Sequence, residues 1–151
     1  MASTTKGALA VESLQALAND SAQTLQQLEN VLDSLAGSDE QAQWAAEALE
    51  NCEAPAASQC GLLIEATGHP SELVASWACI LLARLGSAAT AAEKPLAQAV
   101  QSRTETLVRE EAARALGTLG ALSPTTREIL STAAAQGSPR LKRFAVTALG
   151  N

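Results

Sequence analysis

The side chains best equipped for chemistry in this 151-residue sequence are one histidine, three cysteines and a few adjacent carboxylates. His69 stands alone beside Pro70. A single imidazole cannot furnish the ligand set of a zinc or iron centre, and nothing near it completes a Cys–His–acid relay, so it reads as a turn residue. Cys52, Cys60 and Cys79 are odd in number and lack CxxC spacing, which argues against both a disulfide framework and a zinc site and leaves reduced thiols as the expectation. The pairs Asp39/Glu40 and Glu50/Glu53 have no pocket around them to raise a carboxyl pKa and read as solvated helix ends. No glycine-rich phosphate loop follows a strand, because no strand is predicted. The expectation is no catalytic residue, no metal and no cofactor.

Those residues sit in a repeating frame. Trp44, Trp77, Glu111 and Phe144 are spaced 33, 34 and 33 residues apart. The next column is Ala45, Ala78, Ala112, Ala145; four residues on come Leu49, Leu82, Leu116, Leu149. A second set trails each first: Leu63, Leu96, Leu130, then Ala66, Ala99, Ala133. Each unit therefore holds two amphipathic segments, A and B, neither of which can bury its apolar stripe alone. In the third unit Val108, Ala112, Ala115, Leu116 and Leu119 recur at helical spacing, with Arg109, Glu110 and Arg114 expected to face away from the stripe.

Local punctuation supports the same boundaries. Gly86 and Gly120 fall just past A segments, where a helix C-terminus favours a left-handed residue, and Pro95 suits the first position of a B helix. Ser71 and Ser138 are candidate N-caps, Pro139 follows at the favoured first position, and Gly68 and Gly137 close B segments. Upstream, Ala8–Ala18 and Thr24–Leu35 look helical at a shorter step, like a degenerate capping hairpin. Cys52 shares a column with leucines and reads as core; Cys60 shares one with Glu93 and Arg127, which need water, so its thiol is expected to be exposed.

Composition agrees. Apolar residues make up 47% but aromatics only 2%, which suits close helix packing. The formal charge is −6, a field that repels phosphate backbones and anionic lipid and makes nucleic acid an unlikely partner. It is uneven: residues 1–75 set Lys6 against eleven carboxylates, a net of −10, whereas residues 76–151 set nine Lys/Arg against five carboxylates, a net of +4. Blocks of charge are usually solvated faces; the same polarity would also orient a partner or let copies meet head to tail as a homo-oligomer. No signal-peptide core opens the chain, and the longest apolar run, Trp77 to Ala83, is too short to span a bilayer, so no membrane association and a cytoplasmic location are expected.

The stretch Glu93–Gly120, EKPLAQAVQSRTETLVREEAARALGTLG, resembles the HEAT-like repeat of the phycobilisome-lyase type: a Pro-Leu helix start followed by a Val-Arg-x-x-Ala-Ala-x-Ala-Leu-Gly helix, here Val108, Arg109, Ala112, Ala113, Ala115, Leu116 and Gly117. The resemblance spans about residues 38–151. It departs where Gln41 replaces the valine column and Glu53 the glycine column, and where Gln101, Ser102 and Arg103 stand in place of the usual turn Asp. Relatives of this type include bilin lyases and a HEAT-repeat hydroxylase that holds iron with paired His and Glu; the single His69 cannot repeat that ligand set. HEAT-like DNA glycosylases offer a tryptophan and a basic concave face, and Arg140, Lys142 and Arg143 are similar, but the acidic N-terminal half opposes it.

The sequence therefore implies an all-α fold, a right-handed α-α superhelix in one domain: a capping hairpin over 1–37, repeats over 38–70, 71–103 and 104–137, and a half-repeat over 138–151. The functional expectation is a non-catalytic protein-interaction or scaffolding module. Its alternatives are a subunit of a lyase- or hydroxylase-like enzyme and a self-assembling solenoid. Candidate partner-binding residues are the aromatic column Trp44, Trp77 and Phe144 and the B-helix surface, Gln59, Cys60, Glu65, Glu93, Lys94, Gln98, Arg127 and Glu128.

Overall fold

The structure is a computed structural model that describes residues 24–51 and 57–150. The segment Ala8–Ala18, Cys52 and Glu53 lie outside the described residues. Among the described residues all regular structure is helical: α1 (Thr24–Leu35), α2 (Asp39–Glu50), a 3₁₀ turn (Ala57–Gln59), α3 (Cys60–Ala66), α4 (Glu72–Leu85), a second 3₁₀ segment (Gly86–Ala92), α5 (Glu93–Ser102), α6 (Thr106–Leu116), α7 (Pro124–Gln136) and α8 (Pro139–Leu149). The A helices α4, α6 and α8 stack one on the next. Behind them α3 packs on α4, α5 on α6 and α7 on α8, and α5 and α7 touch in the second layer.

Helix starts follow the serines. Ser38 makes a reciprocal capping box with Gln41, and the Oγ atoms of Ser71, Ser123 and Ser138 accept from the N–H groups of Val74, Thr126 and Leu141. Pro124 and Pro139 open α7 and α8 at a position whose N–H has no helical partner. Gly86 and Gly120 have φ of +59° and +105°, a backbone that β-carbons oppose, and each ends an A helix or its last turn. Pro95 departs from expectation. The 3₁₀ segment runs directly into α5, so Pro95 is its third residue, still within the first turn where a missing N–H costs no helical bond.

The predicted columns form the core. Leu49, Leu82 and Leu116 are fully buried, as are Ala45, Ala78, Ala112 and Ala145, and in the second layer Leu63, Leu96 and Leu130. Small alanines let the A helices approach closely while each leucine fills the space between layers. Arginines then satisfy carbonyls at helix ends: Arg84 Nη1 donates to Leu49 O at 2.7 Å, Arg109 Nε to Val100 O at 2.9 Å and Arg127 Nη2 to Leu149 O at 2.9 Å. Arg103 occupies the turn where the repeat pattern usually has Asp. It donates to Glu105 at 2.8 Å and to the His69 carbonyl of the preceding turn at 2.7 Å, tying successive turns together.

Glu110 does not face solvent as expected. Both it and Glu111 are buried because α8 lies across them: Ser138 Oγ donates to Glu110 at 2.8 Å, and Arg140 bridges Glu110 at 3.5 Å and Glu111 at 3.2 Å. Arg114 adds a second contact to Glu111 at 3.2 Å. Arg109 is half-buried against α5; of the three, Arg114 alone is exposed. The α6–α8 seam is therefore partly ionic, which is stable only because each buried carboxylate is paired.

The N-terminal end differs at one helix. α2 packs chiefly on α1, and α1 in turn touches α4, whereas α3 packs on α4 as the later B helices pack on the A helix that follows them. The 31-residue stretch Glu72–Ser102 is apolar enough in composition to cross a membrane. It is bent at Gly86, and half of its most apolar window is buried, with α4 packed against α6, and α5 against α6 and α7.

Candidate functional site

The second-layer helices leave a groove on their outer side. Between α3 and α5 lies a cavity of about 330 Å³ walled by Ile64, Glu65, Thr67, Pro95, Gln98 and Arg103. It shares Gln98 and Ser102 with one of about 510 Å³ between α5 and the start of α7, where Lys94, Ala97, Gln101 and Thr125 stand. That in turn shares Gln101, Thr125 and Ile129 with a third of about 450 Å³, bounded by Arg109, Glu128, Thr132 and Gln136. The three lie side by side along the outer face of α3, α5 and α7, a row of hollows called the trough below, with Gln98 and Ser102 of α5 standing between the first and the second. Ala97, Val100, Ile129 and Ala133 give it apolar stretches, and amide, hydroxyl and opposite-sign charged groups stand along them.

The trough exists because α5 and α7 each bury one stripe and turn a polar one outward at helical spacing: Lys94, Gln98, Gln101 on α5 and Thr125, Glu128, Thr132 on α7. Glu65, Lys94, Gln98 and Glu128, expected from sequence, are exposed: Glu65 and Gln98 line the first cavity, Lys94 and Gln98 the second, and Glu128 the third. Gln101, Ser102, Thr125 and Thr132 were not anticipated, although reading the polar face with the period used for the apolar one would have found them.

Other candidates fall elsewhere. Gln59 is fully buried and Cys60 is 9% exposed at the very start of α3, so neither presents a binding group and the expected exposed thiol is corrected. Burial raises the Cys60 thiol pKa, and burial together with the nearby Glu111 charge pushes Cys79 up to about 12, so both are poor nucleophiles. Arg127 turns toward the end of α8 instead of the trough. The aromatic column does not form an exposed row. Trp77 is buried with the Arg84 guanidinium 5.9 Å from its ring centre, Phe144 is half-buried with Arg140 at 5.1 Å, and Trp44 alone is well exposed, on the loosely stacked α2.

Glu93 borders the trough but is engaged internally. Its Oε2 accepts from Ser123 Oγ at 2.6 Å, Ser123 N at 3.1 Å and Thr126 Oγ1 at 2.7 Å, reinforcing the N-terminus of α7 from one repeat away. The Ser123 and Thr126 hydroxyls hold its pKa below the usual carboxylate value, burial opposing them weakly. A depressed folded-state pKa gives stability that is present above the unfolded value of ~4.3 and lost as pH falls through the folded one. Glu93→Gln should therefore be less stable than the parent at neutral pH, and the gap should close in acid below about pH 4. Urea midpoints measured across that range check this; a gap that stays constant with pH would contradict it.

Among the described residues no three His, Cys, Asp or Glu side chains come together to hold a metal ion. The stacked helices define an all-α solenoid of repeating hairpins. A family model described as HEAT repeats matches residues 61–150, the span from α3 through α8 where the stack is regular. The chain belongs to the HEAT repeat family. It is also similar to the crystal structure of an engineered protein, a Northeast Structural Genomics Consortium target, with a TM-score of 0.58 and 21% identity over 82% of this chain and 61% of that one. The chain thus spans about three-fifths of that protein's length, and the likeness is one of fold. No curated protein matches the chain.

Proposed function

We propose that this chain is a non-catalytic interaction module that holds a segment of a protein partner in the α3–α5–α7 trough. The observation that carries the reading is the row of three neighbouring cavities along helices whose outward residues are Glu65, Lys94, Gln98, Gln101 and Glu128. HEAT repeats generally serve interaction and scaffolding, and solenoids bind along the extended surface that stacking creates. The repeats are of the phycobilisome-lyase type, a reading supported by the Val108–Gly117 pattern. The free thiols of Cys60 and Cys79 favour a reducing, cytoplasmic setting.

The test uses the whole chain immobilised beside two variants. Gln98→Arg/Glu128→Lys places bulk and the wrong charge in the trough, and Trp44→Ala alters the exposed aromatic far from it. A partner retained by the parent should bind the trough variant at least about tenfold more weakly, equivalent to ~1.4 kcal/mol, and bind Trp44→Ala normally. Equal retention by the parent and the trough variant overturns the proposal.

A further inference from the structure

α8 carries an exposed face at positions that α4 and α6 bury. On α6, which packs on α8, Glu110 and Ala113 are buried, and one step earlier so are Ser76 and Cys79 of α4, which packs on α6. The equivalent residues one repeat later are Arg143 and Val146, both exposed, with Val146 at 60%. Lys142 stands beside them, one turn before Val146, also exposed. α8 thus presents an apolar side chain between two cations at the place where an A helix receives its neighbour. Among the described residues neither Lys142 nor Arg143 has a side-chain ion pair.

α2 presents the complement. Glu40, Trp44 and Glu47 are spaced four and three residues apart, lie on one side of the helix opposite buried Ala42, Ala45 and Leu49, and are all exposed, Trp44 at 40%. No lysine or arginine occurs from residue 24 to residue 51, and no carboxylate occurs from residue 137 to residue 151. One surface is an aromatic flanked by anions and the other an aliphatic flanked by cations. Each is exposed in the single chain, and two like faces repel where the two unlike faces attract.

We propose that the Lys142–Arg143–Val146 face of α8 docks the Glu40–Trp44–Glu47 face of α2 in a second copy of this chain. The contact is heterologous, so copies add head to tail, and none of the residues in it lines the trough. A single helix-on-helix contact buries less than the ~1,200 Å² typical of stable interfaces, so association is weak and depends on charge.

Sedimentation velocity of the whole chain tests this. At about 0.1 M salt the average mass should rise with concentration, and at about 1 M, where the screening length falls from ~10 Å to ~3 Å, the chain should be monomeric. Lys142→Glu/Arg143→Glu and Glu40→Lys/Glu47→Lys each place like charges across the contact, so each alone should associate at least about tenfold more weakly than the parent. Mixed in equal amounts, the two variants oppose a reversed face to a reversed face with complementary sign, and association should return. All four positions are exposed, and helical dichroism equal to the parent's confirms that the variants fold. A parent chain that stays monomeric at low salt overturns the proposal and leaves the two faces to different partners; so does a mixture that fails to associate. Failure here leaves the trough reading intact, because none of the four positions lines it.

Discussion

Leu116→Ala should lower the unfolding free energy by about 3–5 kcal/mol, read as a lower urea midpoint with an unchanged slope. Leu116 is fully buried at the end of α6, the helix packed against α4, α5 and α8 at once. Truncation removes its transfer free energy and leaves a cavity between helices that cannot easily close in. Arg109 anchors α6 to α5, and Arg140 anchors α8 to α6. The loss is a large share of the 5–15 kcal/mol that holds a domain of ordinary stability. Repeats in a solenoid stabilise only their neighbours, so damage to the middle unit uncouples both ends. Val146→Ala, on the uncovered face of α8, is the matched control and should change stability by no more than about 0.5 kcal/mol. Equal effects at the two positions would mean that the stack does not bury its leucine column.

Gly137→Ala is expected to cost about 1–3 kcal/mol for a different reason. A β-carbon there would lie 2.7 Å from Ala133 O, 2.7 Å from Leu141 Cδ2 and 2.8 Å from Leu141 Cγ. The backbone at Gly137 has φ of −78°, so the penalty comes from space and not from conformation. Relief is limited. Ala133 O already accepts the Gly137 N–H as the closing bond of α7, and Leu141 is buried in the next helix. The substitution must therefore push α7 and α8 apart at the seam between a B helix and the following A helix. Thermal unfolding of the variant measures the cost; a melting temperature equal to the parent's would show that the seam is looser than the geometry requires.

What was legible in the sequence was whatever is decided by neighbours along the chain. Leu82, Leu116, Leu96 and Leu130 recur at a fixed step on amphipathic stripes, and Ser71, Ser138, Gly86 and Gly120 act within one turn of their own backbone, so their roles follow from spacing alone. What was not legible depends on which helix lies opposite. Cys60, Glu93 and Arg127 occupy one repeat column yet meet three fates: the first is buried as the opening residue of α3, the second caps α7, the third reaches the end of α8. Glu110 is charged and was expected outside, but Ser138 and Arg140 of the next unit supply the partners that make its burial tolerable. Trp77 and Trp44 share a column too, and differ because α6 packs closely on α4 while α2 lies mainly against α1. The trough was half legible: Lys94, Gln98 and Glu128 stood out as polar residues on B helices, whereas the cavities beneath them arise from the separation between helices, which no single stripe encodes.

The account rests on the outward side of α3, α5 and α7 being the surface that a partner covers. Amide hydrogen exchange of the chain alone and of its captured complex measures this directly. Slowed exchange should concentrate in α5, the first turns of α7 and α3, with α4 and α6, already sealed in the stack, unchanged. Protection confined to α2 or α8, with the trough helices exchanging at the rate of the free chain, would contradict it.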